Sequence, residues 1–319
     1  MLAIPLAIPL ALASAVLYGV SDFLSGVQSR RRHFLIVGAV AQTFSATGIT
    51  LVALAQRQPL TQDALLWGAA ASIGHCSGTL MLMRGLARGS MHVAGPLSAV
   101  CAAGLPVVLG VVLCERPSPL AVVGIVLALP AVWAVAAGES DPGSAPGETH
   151  LVEPDHGRMP SAPPPARRAG VRDGLLAGVG FAVFFIALAQ AGPGSGSWPV
   201  AVCQLVSLVV MWGIVAQHRP AGSVRAALPA WIVGVTGALG SLTYFLAGRS
   251  GGEAAGQAGE AAGQAGVAAG QLTVVPVVAS LYPAFTVLLA MALLGERASR
   301  AQVAGLVACA VAVALIAAG

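Results

Sequence analysis

Two ionisable side chains lie deep within apolar runs and could move a proton: Asp22 and His75. Taking a carboxylate out of water favours its neutral form, so an acid in an apolar segment can take up and release a proton. An imidazole does the same near neutrality. Asp22 also lies close in sequence to Arg30, Arg31 and Arg32, so pairing with them is its structural alternative. A hydrogen-bonded neutral ring is the alternative for His75. Around these two residues the polar side chains recur every three or four positions. Ser14, Tyr18, Ser21, Asp22 and Ser25 form one such stripe, and Ser72, His75, Cys76 and Thr79 another. Such spacing puts them on one face of a helix. Gln42, Ser45 and the series Thr43, Thr47, Thr50 mark a third apolar run, Thr236, Thr243 and Tyr244 a fourth, and Tyr282 with Thr286 a fifth. Polar groups within spans usually face a bundle interior or a wet cavity. We therefore expect a shared cavity that binds a small-molecule solute, lined by Tyr18, Ser21, Asp22, Gln42, His75, Thr79, Tyr244, Tyr282 and Thr286. Ser, Thr and Gly are equally the usual residues of helix–helix seams in membranes, so the hydroxyls divide between the two roles.

Other candidates read as structural. Glu115 and Glu296 look like a symmetric carboxylate pair, but each is followed by Arg and then by a helix start. Ser118-Pro119 supplies an N-cap with a first-turn proline, and Ser299 with Gln302 matches a capping box. No catalytic residue is assigned. Cys76, Cys101, Cys114, Cys203 and Cys309 form no CxxC pair and sit in or at the ends of apolar runs, so neither a disulfide framework nor a metal site is expected. No cofactor is expected either, and the chain contains no Walker phosphate loop. Pro96, Pro106, Pro276 and Pro283 remove backbone donors from the fourth and ninth apolar runs. They are candidate hinges beside the cavity.

The elements that position these residues follow from composition. Of 319 residues, 57% are apolar and 9% are charged, against roughly a quarter charged in soluble domains. One aqueous core could not hide that much hydrocarbon, so lipid is the expected solvent and nucleic acid is no partner. A spanning helix needs about 20 apolar residues. Ten such runs occur, at 4–26, 34–55, 64–87, 91–114 and 118–138, then at 171–192, 197–216, 227–248, 267–294 and 300–318. The first lacks a basic n-region and reads as a retained span, although Ala11-Leu12-Ala13 resembles a cleavage site. Residues 139–169, with seven prolines, read as a disordered linker.

The two groups of five repeat one another. Leu113-Cys114-Glu115-Arg116-Pro117-Ser118 corresponds to Leu294-Gly295-Glu296-Arg297-Ala298-Ser299 at an offset of 181, which also carries Gly124 onto Gly305. Five is odd, so two such units must cross the membrane in opposite senses. The expected fold is therefore an all-α polytopic membrane protein with ten spans as two inverted five-helix repeats, residues 1–138 and 170–319. A second, smaller repeat, GEAAGQA at 252–258 and 259–265, reads as a tandem expansion outside the bilayer.

These features together resemble the drug/metabolite transporter superfamily in its ten-helix, EamA-type form. The resemblance rests on Tyr18-Gly19 with Phe23, Leu86-Ala87-Arg88-Gly89, the proline-rich fourth and ninth runs, and the Glu-Arg turns. Ser280-Leu281-Tyr282-Pro283-Ala284-Phe285-Thr286 carries it furthest. Cys114 departs from the usual Gly, and the sixth run has no partner to Tyr18-Gly19. The resemblance implies export or uptake of small metabolites by alternating access; we expect a transporter of small metabolites or drug-like solutes in the plasma membrane, with export and proton coupling through Asp22 or His75 as the expected mode. The alternatives are a non-transporting membrane scaffold, or an embedded enzyme, for which paired intramembrane acids and an HExxH motif are missing. Loops after the odd-numbered spans hold most of the arginines, which by the positive-inside rule puts both termini outside; the family implies both inside.

Overall fold

The computed structural model describes residues 4–29, 32–87, 91–113, 117–138, 164–191, 194–259, 274–295 and 299–318. Among them there is no strand. The helices are α1 (Ile4–Ser29), α2 (Phe34–Ala55), α3 (Gln62–Ala87), α4 (Met91–Val112), α5 (Pro119–Gly138), α6 (Pro164–Gln190), α7 (Trp198–His218), α8 (Trp231–Gly259), α9 (Val274–Ala279), α10 (Tyr282–Leu294) and α11 (Arg300–Ala318). Among the described residues eight stretches are long and apolar enough to cross a bilayer, with α9 and α10 together forming one of them. Two shorter apolar stretches, Leu97–Val112 and Pro119–Val135, accompany them. Large side chains such as Leu51, Leu66, Ile73 and Val209 are more than half exposed. An outer surface of that kind suits lipid rather than water. The chain is a polytopic helical membrane protein.

The apolar runs predict the helices to within a few residues, with three differences. α6 begins at Pro164, inside the stretch read as linker; the rest of that stretch lies outside the described residues. α8 continues to Gly259, through the first GEAAGQA unit, whereas the remainder of the expansion again lies outside them. The ninth run is two helices, α9 and α10, and the first of them starts at Val274.

That break has a local cause. Pro283 has no N–H to give to Ala279, so the ladder stops and a turn replaces it. The Ser280 N–H donates to Pro276 O at 2.9 Å, the Leu281 N–H to Val278 O at 3.2 Å and the Ala284 N–H to Leu281 O at 2.9 Å. The Ser280 hydroxyl donates to Val277 O at 2.8 Å. Val277 O and Val278 O, freed by the break, are thus satisfied inside the protein, as a low-dielectric setting requires. In contrast, α4 is continuous past both Pro96 and Pro106. Of the four candidate hinge prolines, only the pair in the ninth run flanks an interruption.

Helices sit close where glycine removes a side chain. A Cβ on Gly124 would meet Ala312 O at 2.8 Å and Ile316 N at 3.1 Å, while one on Gly305 would meet Ala131 O and Val135 N, each at 3.0 Å. The offset of 181 carries Gly124, Ala131 and Val135 onto Gly305, Ala312 and Ile316. The α5–α11 joint is therefore made twice, once from each side. Other pairings exchange in the same way. α1 packs on α8 and α3 on α6; α2 packs on α8 and α3 on α7; α4 packs on α6 and α1 on α9 and α10.

The cap signals read from sequence form bonds. Ser118 Oγ accepts the Ala121 N–H at 3.1 Å. At α11 the box closes in both directions: the Ser299 N–H donates to Gln302 Oε1 at 2.8 Å and the Gln302 N–H to Ser299 Oγ at 3.2 Å. Ser299→Ala should cost about 1 kcal/mol, read as a lower midpoint in thermal unfolding of the detergent-solubilised protein. An unchanged midpoint would mean that lipid-embedded packing alone holds this helix end. Glu115 and Glu296 lie outside the described residues.

Candidate functional site

The α1 stripe faces α8. Ser14 Oγ donates to Gly240 O at 2.8 Å and Ser21 Oγ to Val233 O at 3.1 Å. Both hydroxyl protons are spent on backbone carbonyls of the neighbouring helix, which makes Ser14 and Ser21 seam residues. Between them, Tyr18 Oη lies 2.8 Å from Ser241 Oγ. Ser241 Oγ also donates to Gly237 O at 3.1 Å and accepts from Gln204 Nε2 at 3.3 Å. With its one proton on Gly237 O, Ser241 must accept from Tyr18. Gln204 Oε1 in turn accepts from Gln42 Nε2 at 2.6 Å, and Gln42 Nε2 reaches Gln204 O at 3.0 Å. One polar chain, Tyr18–Ser241–Gln204–Gln42, thus joins α1, α8, α7 and α2.

Gln204 and Ser241 are buried. In such surroundings each unmade bond costs on the order of 1–3 kcal/mol, which holds the network in one arrangement. Tyr18 and Gln42, at its two ends, are only half-buried, so the ends are the parts a ligand can reach. Tyr18 Oη donates inward and keeps its lone pairs as acceptors. The Tyr282 ring stands edge-on to Tyr18, with centroids 6.4 Å apart at 65°, and Thr286 Oγ1 lies 3.2 Å from Gly19 O. Gly19 is needed at this crossing, because a Cβ there would lie 2.8 Å from Tyr282 O.

Asp22 is one turn beyond Tyr18 on the same face of α1 and is exposed. No cation pairs with it among the described residues; Arg30 and Arg31 lie outside them. His75 stacks obliquely on Phe184, centroids 5.3 Å apart. With Thr79, Ser207 and Gln42 it lines a small cavity of about 20 Å³ between α2, α3 and α7, room for about one water molecule. Gln42 therefore belongs both to the network and to the His75 cavity. Tyr244 sits elsewhere: it is buried, its hydroxyl donates to Phe185 O at 3.1 Å, and its ring packs 4.7 Å from that of Phe185.

A much larger space opens at the opposite end of α1 from Asp22. A cleft of about 640 Å³ reaches Leu6 and Leu10 on α1 and Leu246 and Arg249 on α8. At 1.5 Å rise per residue, Leu10 and Arg249 are each about 12 Å along their helices from Tyr18 and Ser241. The network thus lies between this cleft and Asp22.

Sequence reasoning missed Gln204, Ser207 and Ser241. The first two were legible, as an amide and a hydroxyl three residues apart in an apolar run. It also missed Asp173, which is fully buried in α6, and so undercounted the ionisable groups within helices. Thr43, Thr47, Thr50, Thr236 and Thr243 each bond a carbonyl one turn back on their own helix.

No family model matches the chain, and no curated protein matches it. Among solved structures, one described only as the crystal structure of a protein is similar over 98% of this chain and 95% of that chain, with a TM-score of 0.67 and 15% sequence identity. At that identity the likeness shows the fold alone.

Proposed function

We propose that the chain is a secondary transporter of small organic solutes, built from ten spans as two inverted five-helix repeats and related to the EamA-type drug/metabolite transporters. The observation that carries the reading is the Tyr18–Ser241–Gln204–Gln42 network. It is a costly polar arrangement in a lipid-solvated protein, fed by both halves of the chain, with reachable ends. The exchange of packing partners between the halves and the reciprocal Gly124 and Gly305 contacts support the inverted repeat. The break between α9 and α10 beside Tyr18 is the kind of discontinuity that lies at transporter sites.

In this reading the 640 Å³ cleft is the mouth open in this conformation, and Asp22, exposed beyond the network, is the proton-coupling group. His75 with its small cavity is a second candidate for that role. Export across the plasma membrane is the expected direction. Tyr18, Tyr282 and Gln42 contact the solute, while Ser21 and Thr286 hold the helices around it.

The test is untargeted profiling of cells and medium for wild type, empty vector and Gln204→Leu, which keeps volume but deletes two network bonds. Leaving Gln42 and Ser241 short of partners costs on the order of 1–3 kcal/mol, enough for roughly a ten-fold fall in flux. One solute depleted inside and enriched outside with wild type alone is the expected result. Profiles identical to the vector for a wild type that reaches the membrane would favour the scaffold.

A further inference from the structure

The 640 Å³ cleft carries features that transport as such does not require. Leu6, Leu10 and Leu246 give it apolar walls; Gln56, Ser197 and Arg249 give it polar ones, and no acidic side chain is among its described lining residues. The Arg249 guanidinium lies 5.8 Å from the centroid of the Phe245 ring. Among the residues whose side chains are described no carboxylate pairs with it. A cation in an apolar-walled cleft, steadied by a ring face, favours a negative ligand.

Ser197 is an independent observation. It is the N-cap of α7, 1% exposed, and its Oγ has no hydrogen-bond partner. A cap hydroxyl normally accepts from the second or third N–H of its helix; the second residue of α7 is Pro199, which has none, and with φ −89° and ψ 9° Ser197 lacks the extended cap backbone that turns a hydroxyl onto the third. The Ser197 backbone N–H is already given to Gln56 Oε1 at 2.8 Å, so the residue is pinned while its hydroxyl stays unpaired. A buried hydroxyl without a partner is costly. Placed at a helix N-terminus, where the backbone dipole favours anions, it is suited to donate to one.

We infer that this cleft binds the oxyanion of a small, singly charged amphiphile: Arg249 pairs with the anion, Ser197 Oγ donates to it, and Leu6, Leu10 and Leu246 take the apolar body. One guanidinium matches one negative charge, and the volume lies within the usual range for small-molecule sites. A free monocarboxylate and the phosphate of an anionic lipid share this chemistry. That the occupant is a transported solute rests on the transporter reading; that an anion binds does not.

The experiment is an equilibrium titration of the full-length protein in nanodiscs of phosphatidylcholine, with hexanoate, hexan-1-ol and hexylamine as probes. Saturable binding of hexanoate alone is expected, weakened about ten-fold or more by Arg249→Gln, as for loss of a desolvated charge partner. Arg249→Lys should retain most of the affinity and Ser197→Ala should lose roughly three-fold. Gel filtration and thermal unfolding establish that each variant is folded, and the two milder variants keep the test decisive if Arg249→Gln is not. A second set of nanodiscs contains phosphatidylglycerol. Unchanged hexanoate binding there supports a solute carboxylate; displacement by the lipid, lost in the Arg249 variant, assigns the site to a headgroup and overturns the solute. No hexanoate binding in either lipid, or equal binding by wild type and Arg249→Gln, overturns the proposal. Because binding is read without transport, failure here leaves the Gln204→Leu test untouched, and the reverse holds too.

Discussion

Valine at position 180 should abolish the folded protein. Gly180 of α6 crosses α3 at Gly74 and Gly78, and a Cβ on it would lie 2.5 Å from Gly78 N and 2.7 Å from Gly78 Cα. The obstruction is backbone on both sides, since a Cβ on Gly74 would likewise lie 2.6 Å from Phe184 N and 2.7 Å from Gly180 O. No rotamer change relieves such a contact; the helices would have to part. Overpacking costs about 1–3 kcal/mol where side chains can shift, and more where they cannot. In lipid, helices associate mainly through van der Waals contact and hydrogen bonds, so a separated α3–α6 pair loses what held it. Gly48→Ala is the control, because a Cβ there meets nothing within 4 Å. The expected result is a monodisperse gel-filtration peak for Gly48→Ala and aggregate or no extractable protein for Gly180→Val. A folded Gly180→Val with an unchanged unfolding midpoint would show that the α3–α6 crossing has room for a side chain.

On the transporter reading, Asp22→Asn should uncouple transport from the proton gradient without stopping exchange. The carboxyl is exposed, one turn from Tyr18, with no cation partner among the described residues. Asn fills the same space and keeps a polar tip, so Tyr18, Gln204 and Gln42 should hold their bonds. In proteoliposomes loaded with the solute that profiling identifies, an imposed pH gradient should drive net flux through wild type and about ten-fold less through Asp22→Asn. Solute-for-solute counterflow should continue in both. Gradient-driven flux equal to wild type would remove Asp22 from coupling and leave His75 as the candidate. Loss of counterflow as well would make Asp22 a solute contact.

The positions of the helices were legible because lipid imposes one strong rule: about 20 apolar residues per crossing. Ser299 and Gln302 were legible because a capping box is local and needs no knowledge of the rest of the fold. The offset of 181 announced a contact as well as a repeat, since Gly124 and Gly305 meet equivalent atoms in each other's halves. The site was only partly legible. Spacing puts Ser14, Tyr18, Ser21 and Asp22 on neighbouring positions of α1, but says nothing of how the helix is turned. Three of them meet α8 and the fourth is exposed. Likewise Tyr244 and Ser241 lie three residues apart on α8; one packs with Phe185 and the other completes the network. Helix rotation is set by tertiary packing, and a difference of about 100° per residue separates a core residue from a member of the polar network.

The break at Ser280-Leu281 divides the Val274–Leu294 stretch into a buried arm and an exposed one. Val275, Pro276, Val277, Val278 and Ala279 on the α9 side are all buried, whereas Leu288, Leu293 and Leu294 on the α10 side are exposed. With 13 residues, α10 is about 20 Å long. A tilt of about 10° at the break would sweep its far end through roughly 3 Å. Tyr282, at the fulcrum, would scarcely move from the face of Tyr18. The aromatic pair can therefore stay in contact while the far end swings; on the transporter reading proposed above, one short stroke would then open or close a passage without loosening what the passage holds.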